Sequence, residues 1–164
     1  GYDVAAQEFG DLTCTEKEPV EGRLVVKDRI ADAMFQEALL RPEQYQILAT
    51  PNLNGDYISD ALAAQVGGLG LAPGVNMSDS LAFYEATHGT APTIAGQDKA
   101  NPLATILSAG MMLRLAFGLS EEADAVENAV RQTLRDGFRT GDIMEDGCTL
   151  VGCAEMGRLV AERL

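Results

Sequence analysis

Two aspartates, Asp56 and Asp60, stand four residues apart in Asn54-Gly55-Asp56-Tyr57-Ile58-Ser59-Asp60. On a helix that spacing puts both on one face, with Cβ atoms about 5–6 Å apart. Like charges so close repel unless a cation lies between them, and carboxylate oxygens suit Mg²⁺ or Mn²⁺. Asp32 is a third candidate. It interrupts the apolar run Ile30-Ala31-Asp32-Ala33-Met34, where a carboxylate needs a charged partner or a metal. Spacing alone leaves a second reading open, in which Asp56 caps a helix and Asp60 is a solvated surface charge.

His88 is the sole histidine, in Thr87-His88-Gly89-Thr90-Ala91-Pro92. A Ser-His-Asp or Cys-His mechanism would have to use it, yet no serine or cysteine stands in a nucleophile motif. Its Gly/Pro-rich surroundings fit a binding or loop-ordering residue better than a general base. Gly68-Leu69-Gly70-Leu71-Ala72-Pro73 begins like G-x-G-x-x-G but ends in proline, so it is not a dinucleotide fingerprint, and no phosphate-binding P-loop is present.

The elements that must position these residues alternate between helix and strand. Gly1 to Gly10 reads as a helix stopped by glycine, and Leu24–Val26 as a short strand. Ile30 to Leu40 has apolar residues at helical spacing, ended by Pro42. Tyr45–Ala49 reads as a strand, Thr50–Gly55 as a loop, and Asp56 to about Val66 as a helix broken at Gly67-Gly68. Further strands are expected over Gly68–Val75 and Leu81–Tyr84, then a loop over Ala86–Pro102. Leu103–Phe117 is apolar nearly all round, the pattern of a buried helix. Ser120 is expected to cap the next helix, whose face is Ala123, Val126, Val130, Thr133 and Leu134 and which Gly137 ends. Arg131, Arg135 and Arg139 read as a solvated row on it. Met144–Cys153 reads as loop and short strand, and Ala154–Leu164 as a last helix. The fold class is α/β.

Composition narrows the function. Lys and Arg number 12 against 25 Asp and Glu, a net charge of −13, which opposes a nucleic-acid partner. A 46% hydrophobic fraction with 23% charged residues is globular and excludes wholesale disorder. Apolar runs are too short for a membrane span, and Asp3, Glu8 and Asp11 stand where a leader would be basic and apolar. Cys14, Cys148 and Cys153 form no Cys-x-x-Cys pair, which favours a reducing, cytoplasmic setting.

Two segments carry a family resemblance. Asn52-Leu53-Asn54-Gly55-Asp56-Tyr57-Ile58-Ser59-Asp60-Ala61-Leu62-Ala63-Ala64-Gln65-Val66-Gly67-Gly68 resembles the signature of the isocitrate/isopropylmalate dehydrogenase family. Glu85 to Pro92, with Ala95-Gly96-Gln97-Asp98-Lys99-Ala100-Asn101-Pro102, is similar to that family's coenzyme loop. Ile30-Ala31-Asp32-Ala33 and Leu39-Leu40-Arg41-Pro42 extend the match to nearly the whole chain except about residues 11–22. Tyr57–Gly68 and the threonine of His-Gly-Thr-Ala-Pro resemble the isocitrate branch.

The resemblance implies an isopropylmalate dehydrogenase-like, non-Rossmann fold, incomplete in this chain. Residues 1–66 would end a small domain for dimerisation and metal binding, and 67–164 would be the C-terminal part of a large coenzyme domain. Asp56 and Asp60 would hold Mg²⁺ or Mn²⁺, and Asp32 would serve the neighbouring subunit of a homodimer. His88, Gly89, Thr90, Ala91, Pro92, Thr93, Ile94, Asn101 and Arg139 would hold the coenzyme. The implied reaction is oxidative decarboxylation of isocitrate to 2-oxoglutarate. NADP-using bacterial relatives carry Lys-Tyr where this chain has Thr93-Ile94, and Tyr and Arg at Arg139 and Ile143. Loss of those cations for a 2′-phosphate favours NAD over NADP. The family's catalytic Tyr and Lys and its substrate-binding Ser and Arg match nothing here. The expectation is therefore a C-terminal fragment, inactive alone. The alternatives are a non-catalytic regulatory or structural subunit of the family and an isopropylmalate-like dehydrogenase.

Overall fold

The computed structural model describes residues 1–164. Six α-helices and three two-stranded sheets divide between two compact units, Gly1–Leu62 and Ala63–Leu164. No helix is long and apolar enough to cross a membrane, and all three cysteines are free.

The first unit holds α1 (Tyr2–Phe9), then β1 (Thr13–Thr15) and β2 (Leu24–Val26), which pair in parallel with Cys14 opposite Val25. The expected turn-rich stretch thus contains β1, a strand too short to show an alternating pattern. Next come α2 (Ala31–Leu40) and most of α3 (Asn52–Gln65). Met34, Ala38 and Ile58 form the buried cluster, with Phe35, Tyr45, Leu48 and Leu62 packed against it.

Two expectations fail in this unit. Tyr45–Ala49 is not a strand: a 3-10 turn at Pro42–Gln44 precedes it, and no ladder partner exists. Tyr45 and Leu48 spend their apolar surface on the α2 cluster instead. The helix also begins earlier than expected, because the Gly55 amide already bonds to the Pro51 carbonyl at 3.0 Å. Asp56 is therefore inside the helix and not its cap.

The second unit is built on a hairpin of β3 (Pro73–Met77) and β4 (Ala82–Ala86), antiparallel with Val75 opposite Tyr84. Only the last part of the expected Gly68–Val75 strand is extended, since Leu69–Leu71 forms a 3-10 turn. Beyond the hairpin lie α4 (Leu103–Phe117), α5 (Ser120–Arg135), the parallel pair β5 (Phe138–Arg139) and β6 (Thr149–Leu150), and α6 (Cys153–Ala161). Leu103, Ala129, Val130, Met156 and Val160 make the core, joined by Leu71, Ile106, Leu134, Phe138 and others.

Helix α4 ends in a glycine cap: Gly118 takes a left-handed φ of 67° and the Leu119 amide reaches back to the Leu113 carbonyl at 2.9 Å. Its buried residues are Leu103, Ala104, Ser108 and Gly110, whereas Leu115 and Phe117 are more than half exposed, so its burial is confined to the first half. Leu119, not Ser120, is the cap of α5, and it offers no side-chain bond. Arg139 leaves the proposed helical row altogether, because Gly137 at φ 88° turns the chain into β5.

Ser108 fastens α4 to the hairpin. Its Oγ lies 2.9 Å from the Glu85 carbonyl and 2.8 Å from that of Ala104, and it accepts from the Gly74 amide at 3.4 Å. Replacing Ser108 by alanine removes a partner from the partly buried Gly74 amide and Glu85 carbonyl and is expected to lower unfolding stability by about 1–2 kcal/mol in denaturant titrations.

At the other end of the unit, Arg163 on the chain following α6 donates twice to Asp136 Oδ2, at 2.9 and 2.6 Å. The Arg163 guanidinium first, and then the Gln132 amide, hold the Asp136 carboxyl below its ordinary value of 3.8. A depressed carboxyl stabilises the fold above its unfolded pKa and loses that contribution as pH falls through the folded one. Thermal melts taken downward from pH 4 should therefore show a drop that Asp136→Asn removes.

Candidate functional site

Six of the nine residues expected to hold a coenzyme line one cavity of about 630 Å³ in the second unit, a size that suits a cofactor. Its walls include His88, Gly89, Thr90, Ala91, Ile94 and Asn101. Gly70, Asp98, Lys99, Asp142 and Cys153, which the sequence reading did not select, line it as well. Pro92, Thr93 and Arg139 are not among its walls. Arg139 is occupied elsewhere: its guanidinium donates to the Leu134 and Phe138 carbonyls and pairs with Glu145 at 3.5 Å.

The loop that forms the cavity is anchored at both ends. At its start Thr87 bonds to the Ala72 carbonyl through its amide and its hydroxyl, at 3.2 and 3.0 Å. At its end Asn101 is buried and does two things. Its Oδ1 accepts from the Leu103 amide at 3.0 Å, satisfying the first N–H of α4, and its Nδ2 donates to Asp142 Oδ2 at 3.0 Å. Thr140, wholly buried, donates to the other Asp142 oxygen at 2.6 Å. Between the anchors, Ala91 and Asp98 both adopt left-handed φ, at 43° and 54°. Non-glycine residues reach that region only where surrounding contacts hold them.

One polar atom in this site has no partner. His88 Nδ1 lies 3.0 Å from the Gly89 carbonyl, while Nε2 is buried and unbonded. An unpaired buried ring nitrogen beside a cavity offers a hydrogen bond to whatever enters. Lys99 supplies the one positive charge of the walls, beside the carboxylates of Asp98 and Asp142, and its ammonium donates to Gln97 Oε1 at 2.8 Å. An imidazole nitrogen without a partner and one ammonium among the walls suit a phosphate- and base-bearing molecule without any glycine-rich Rossmann turn.

Gly70 explains why the G-x-G at Gly68 matters despite its failing as a fingerprint. A Cβ there would run into Asp142 Oδ2 and lie 2.9 Å from Asn101 Nδ2. The glycine makes room for the Asn101–Asp142 bond. That role is steric and long-range, so the only trace in the sequence is the glycine itself.

The three aspartates lie in the first unit. Asp56 and Asp60 are exposed, one helical turn apart on α3, and have no ion-pair partner within their unit. Asp32 is exposed in the first turn of α2 and accepts from the Ala33 amide at 2.7 Å. No group of three His, Cys, Asp or Glu side chains gathers within the chain. Asp56 and Asp60 thus share one exposed face of α3, and their carboxylate oxygens are of the kind that suits a hard divalent cation.

Comparison with known proteins identifies the family and the fold. The family model described as isocitrate/isopropylmalate dehydrogenase matches residues 6–160. Isocitrate dehydrogenase (NADP) of Pseudomonas aeruginosa is 52% identical over 166 residues, which cover 96% of this chain and 40% of that protein. A 3-isopropylmalate dehydrogenase of Nitratidesulfovibrio vulgaris is 57% identical over a shorter 124 residues, 75% of this chain and 35% of that one. The crystal structure of isocitrate dehydrogenase from Methylococcus capsulatus superposes with a TM-score of 0.81 at 36% identity, over 98% of this chain and 43% of that chain. The chain spans about 40% of the length of the curated relatives it matches.

Proposed function

The chain belongs to the isocitrate/isopropylmalate dehydrogenase family, and from that membership we propose that it carries the coenzyme cavity and part of the metal site of an isocitrate dehydrogenase. The observation that carries this reading is the 52% identity to an isocitrate dehydrogenase across 96% of the chain. The α/β fold it shares with the Methylococcus enzyme supports it.

The reaction is oxidation of isocitrate at C2 with loss of CO₂, giving 2-oxoglutarate and reduced coenzyme. When bound, the dinucleotide supplies the hydride acceptor and Mg²⁺ or Mn²⁺ supplies Lewis acidity at the substrate's 2-oxygen. Asp56 and Asp60 hold the cation on the exposed face of α3, and Asp32 completes the set from the second subunit of a homodimer. That assignment gives a reason for a carboxylate on an apolar helix and for the missing third ligand within one chain. His88 Nε2 and Asn101 orient the adenosine part of the coenzyme, and Lys99 faces its phosphates. Residues 1–66 act with the small domain and 67–164 with the large one. No nucleic acid or membrane is engaged, and the three free thiols fit a reducing cytoplasm.

The preference for NAD rests on Thr93, Ile94, Arg139 and Ile143, where NADP-using relatives carry Lys, Tyr, Tyr and Arg. Neither Thr93 nor Arg139 lines the cavity, and the cation that does is Lys99. The Pseudomonas relative is named for NADP. NADP is therefore the coenzyme proposed. Isothermal titration of the 164-residue chain should give tighter binding of NADP⁺ than of NAD⁺. Binding of neither would overturn the coenzyme site, and tighter NAD⁺ would restore the other choice. Spanning about 40% of its relatives, the chain alone is expected to bind coenzyme without turning over isocitrate.

A second reading has its own observation, the 57% identity to a 3-isopropylmalate dehydrogenase. Comparing isocitrate with 3-isopropylmalate as substrate for the assembled enzyme separates the two.

A further inference from the structure

The amino end of α6 is capped by a residue far away in sequence. Gly152, at the cap position, has no side chain to offer, and the first N–H groups of a helix need acceptors. Asp98 provides them: its backbone carbonyl accepts from the Cys153 amide at 3.0 Å and its Oδ1 from the Ala154 amide at 2.8 Å. Asp98 lies in the coenzyme loop, 56 residues earlier, and is held at a left-handed φ of 54°. The fit is tight in both directions. A Cβ on Gly152 would strike the Asp98 carboxylate and come within 2.7 Å of its carbonyl oxygen. Asp98, Lys99, Asn101 and Cys153 all line the same cavity.

We propose that Asp98 is a positioning residue for the coenzyme: by capping α6 in place of Gly152 it clamps the 88–101 loop to that helix and sets the cavity's shape. The proposal rests on the coenzyme reading above and adds a residue to it. The carbonyl and one carboxylate oxygen of Asp98 are committed to α6, so its influence on the coenzyme runs through the clamp. The same commitment means that the amides of Cys153 and Ala154 are already occupied and do not serve a phosphate group.

The test uses the full 164-residue chain, with NADP⁺ as the probe and amide hydrogen exchange at Cys153 and Ala154 as a second readout. Asp98→Ala should weaken NADP⁺ binding about tenfold, the scale of losing one helix cap, and speed exchange at both amides. Asp98→Asn keeps an acceptor oxygen and should recover most of the affinity. Gly152→Ala leaves the carboxylate in the cavity but forces it off α6, and should reproduce the Asp98→Ala loss. Normal affinity in Gly152→Ala alongside weak binding in Asp98→Ala would overturn the proposal in favour of direct contact with the coenzyme. Fast exchange with unchanged affinity in Asp98→Ala would overturn it too, leaving only a structural cap. Failure of the unsubstituted chain to bind NADP⁺ would instead sink the coenzyme reading, and the proposal with it, while protection of the two amides would still report the cap.

Discussion

Substitution of Gly70 by alanine is expected to weaken dinucleotide binding by about tenfold to a hundredfold. The added methyl would occupy the space of the Asp142 carboxylate and press on Asn101 Nδ2 at 2.9 Å. Overpacking of this kind costs roughly 1–3 kcal/mol, and each 1.4 kcal/mol is about tenfold in affinity. The strain cannot be relieved cheaply, because Asn101 is buried and also holds the first amide of α4. Asp142 is likewise fixed by Thr140. Relaxation would move the loop end that carries the cavity wall. Gly141 is the control: a Cβ there meets nothing within 4 Å, and Gly141→Ala should bind coenzyme normally. Titration calorimetry on both variants checks the pair, and equal affinities would remove Gly70 from the site.

Asp56→Asn is expected to lower Mn²⁺ affinity in the assembled dimer by more than the roughly 10–100-fold that losing an outer-shell partner costs. The change keeps size and shape but removes a full negative charge from a site that has only two carboxylates on its helix. Asp60→Asn should behave alike. If Asp32 acts across subunits, mixing Asp32→Asn with Asp56→Asn chains should restore one intact site in each mixed dimer, whereas neither variant alone has any. Counting bound Mn²⁺ by electron paramagnetic resonance reads this directly. Unchanged affinity in Asp56→Asn would dismantle the metal assignment, and absence of restoration would place Asp32 elsewhere.

Much of this molecule was legible in one dimension because its strongest signals are local. Helices α2, α4 and α5 follow from apolar spacing and, for α2 and α5, from the residues that stop them, Pro42 and Gly137. The cavity-lining segment was legible for a different reason: His88 to Ala91, Ile94 and Asn101 are close in sequence and remain close in space. The misread pieces are those where a neighbour distant in sequence sets the outcome. Tyr45–Ala49 has strand-like composition but no strand to pair with. Strands β1 and β5 are only three and two residues long and exist because β2 and β6 lie alongside. Arg139 looked like one more step on a helical row until a left-handed glycine moved it to β5.

The sequence by itself determined the family and the α/β class, and it singled out the carboxylates proposed for a cation and the loop proposed for the coenzyme. Each is written in residue types at short, fixed spacings. Only the tertiary structure decided which side chains share a wall. It brought in Gly70, Lys99 and Asp142, left out Thr93 and Arg139, and set Asp98 on the end of a helix 56 residues away. The physical reason is that hydrogen bonds and steric limits act through distance in space, and those partners are far apart along the chain.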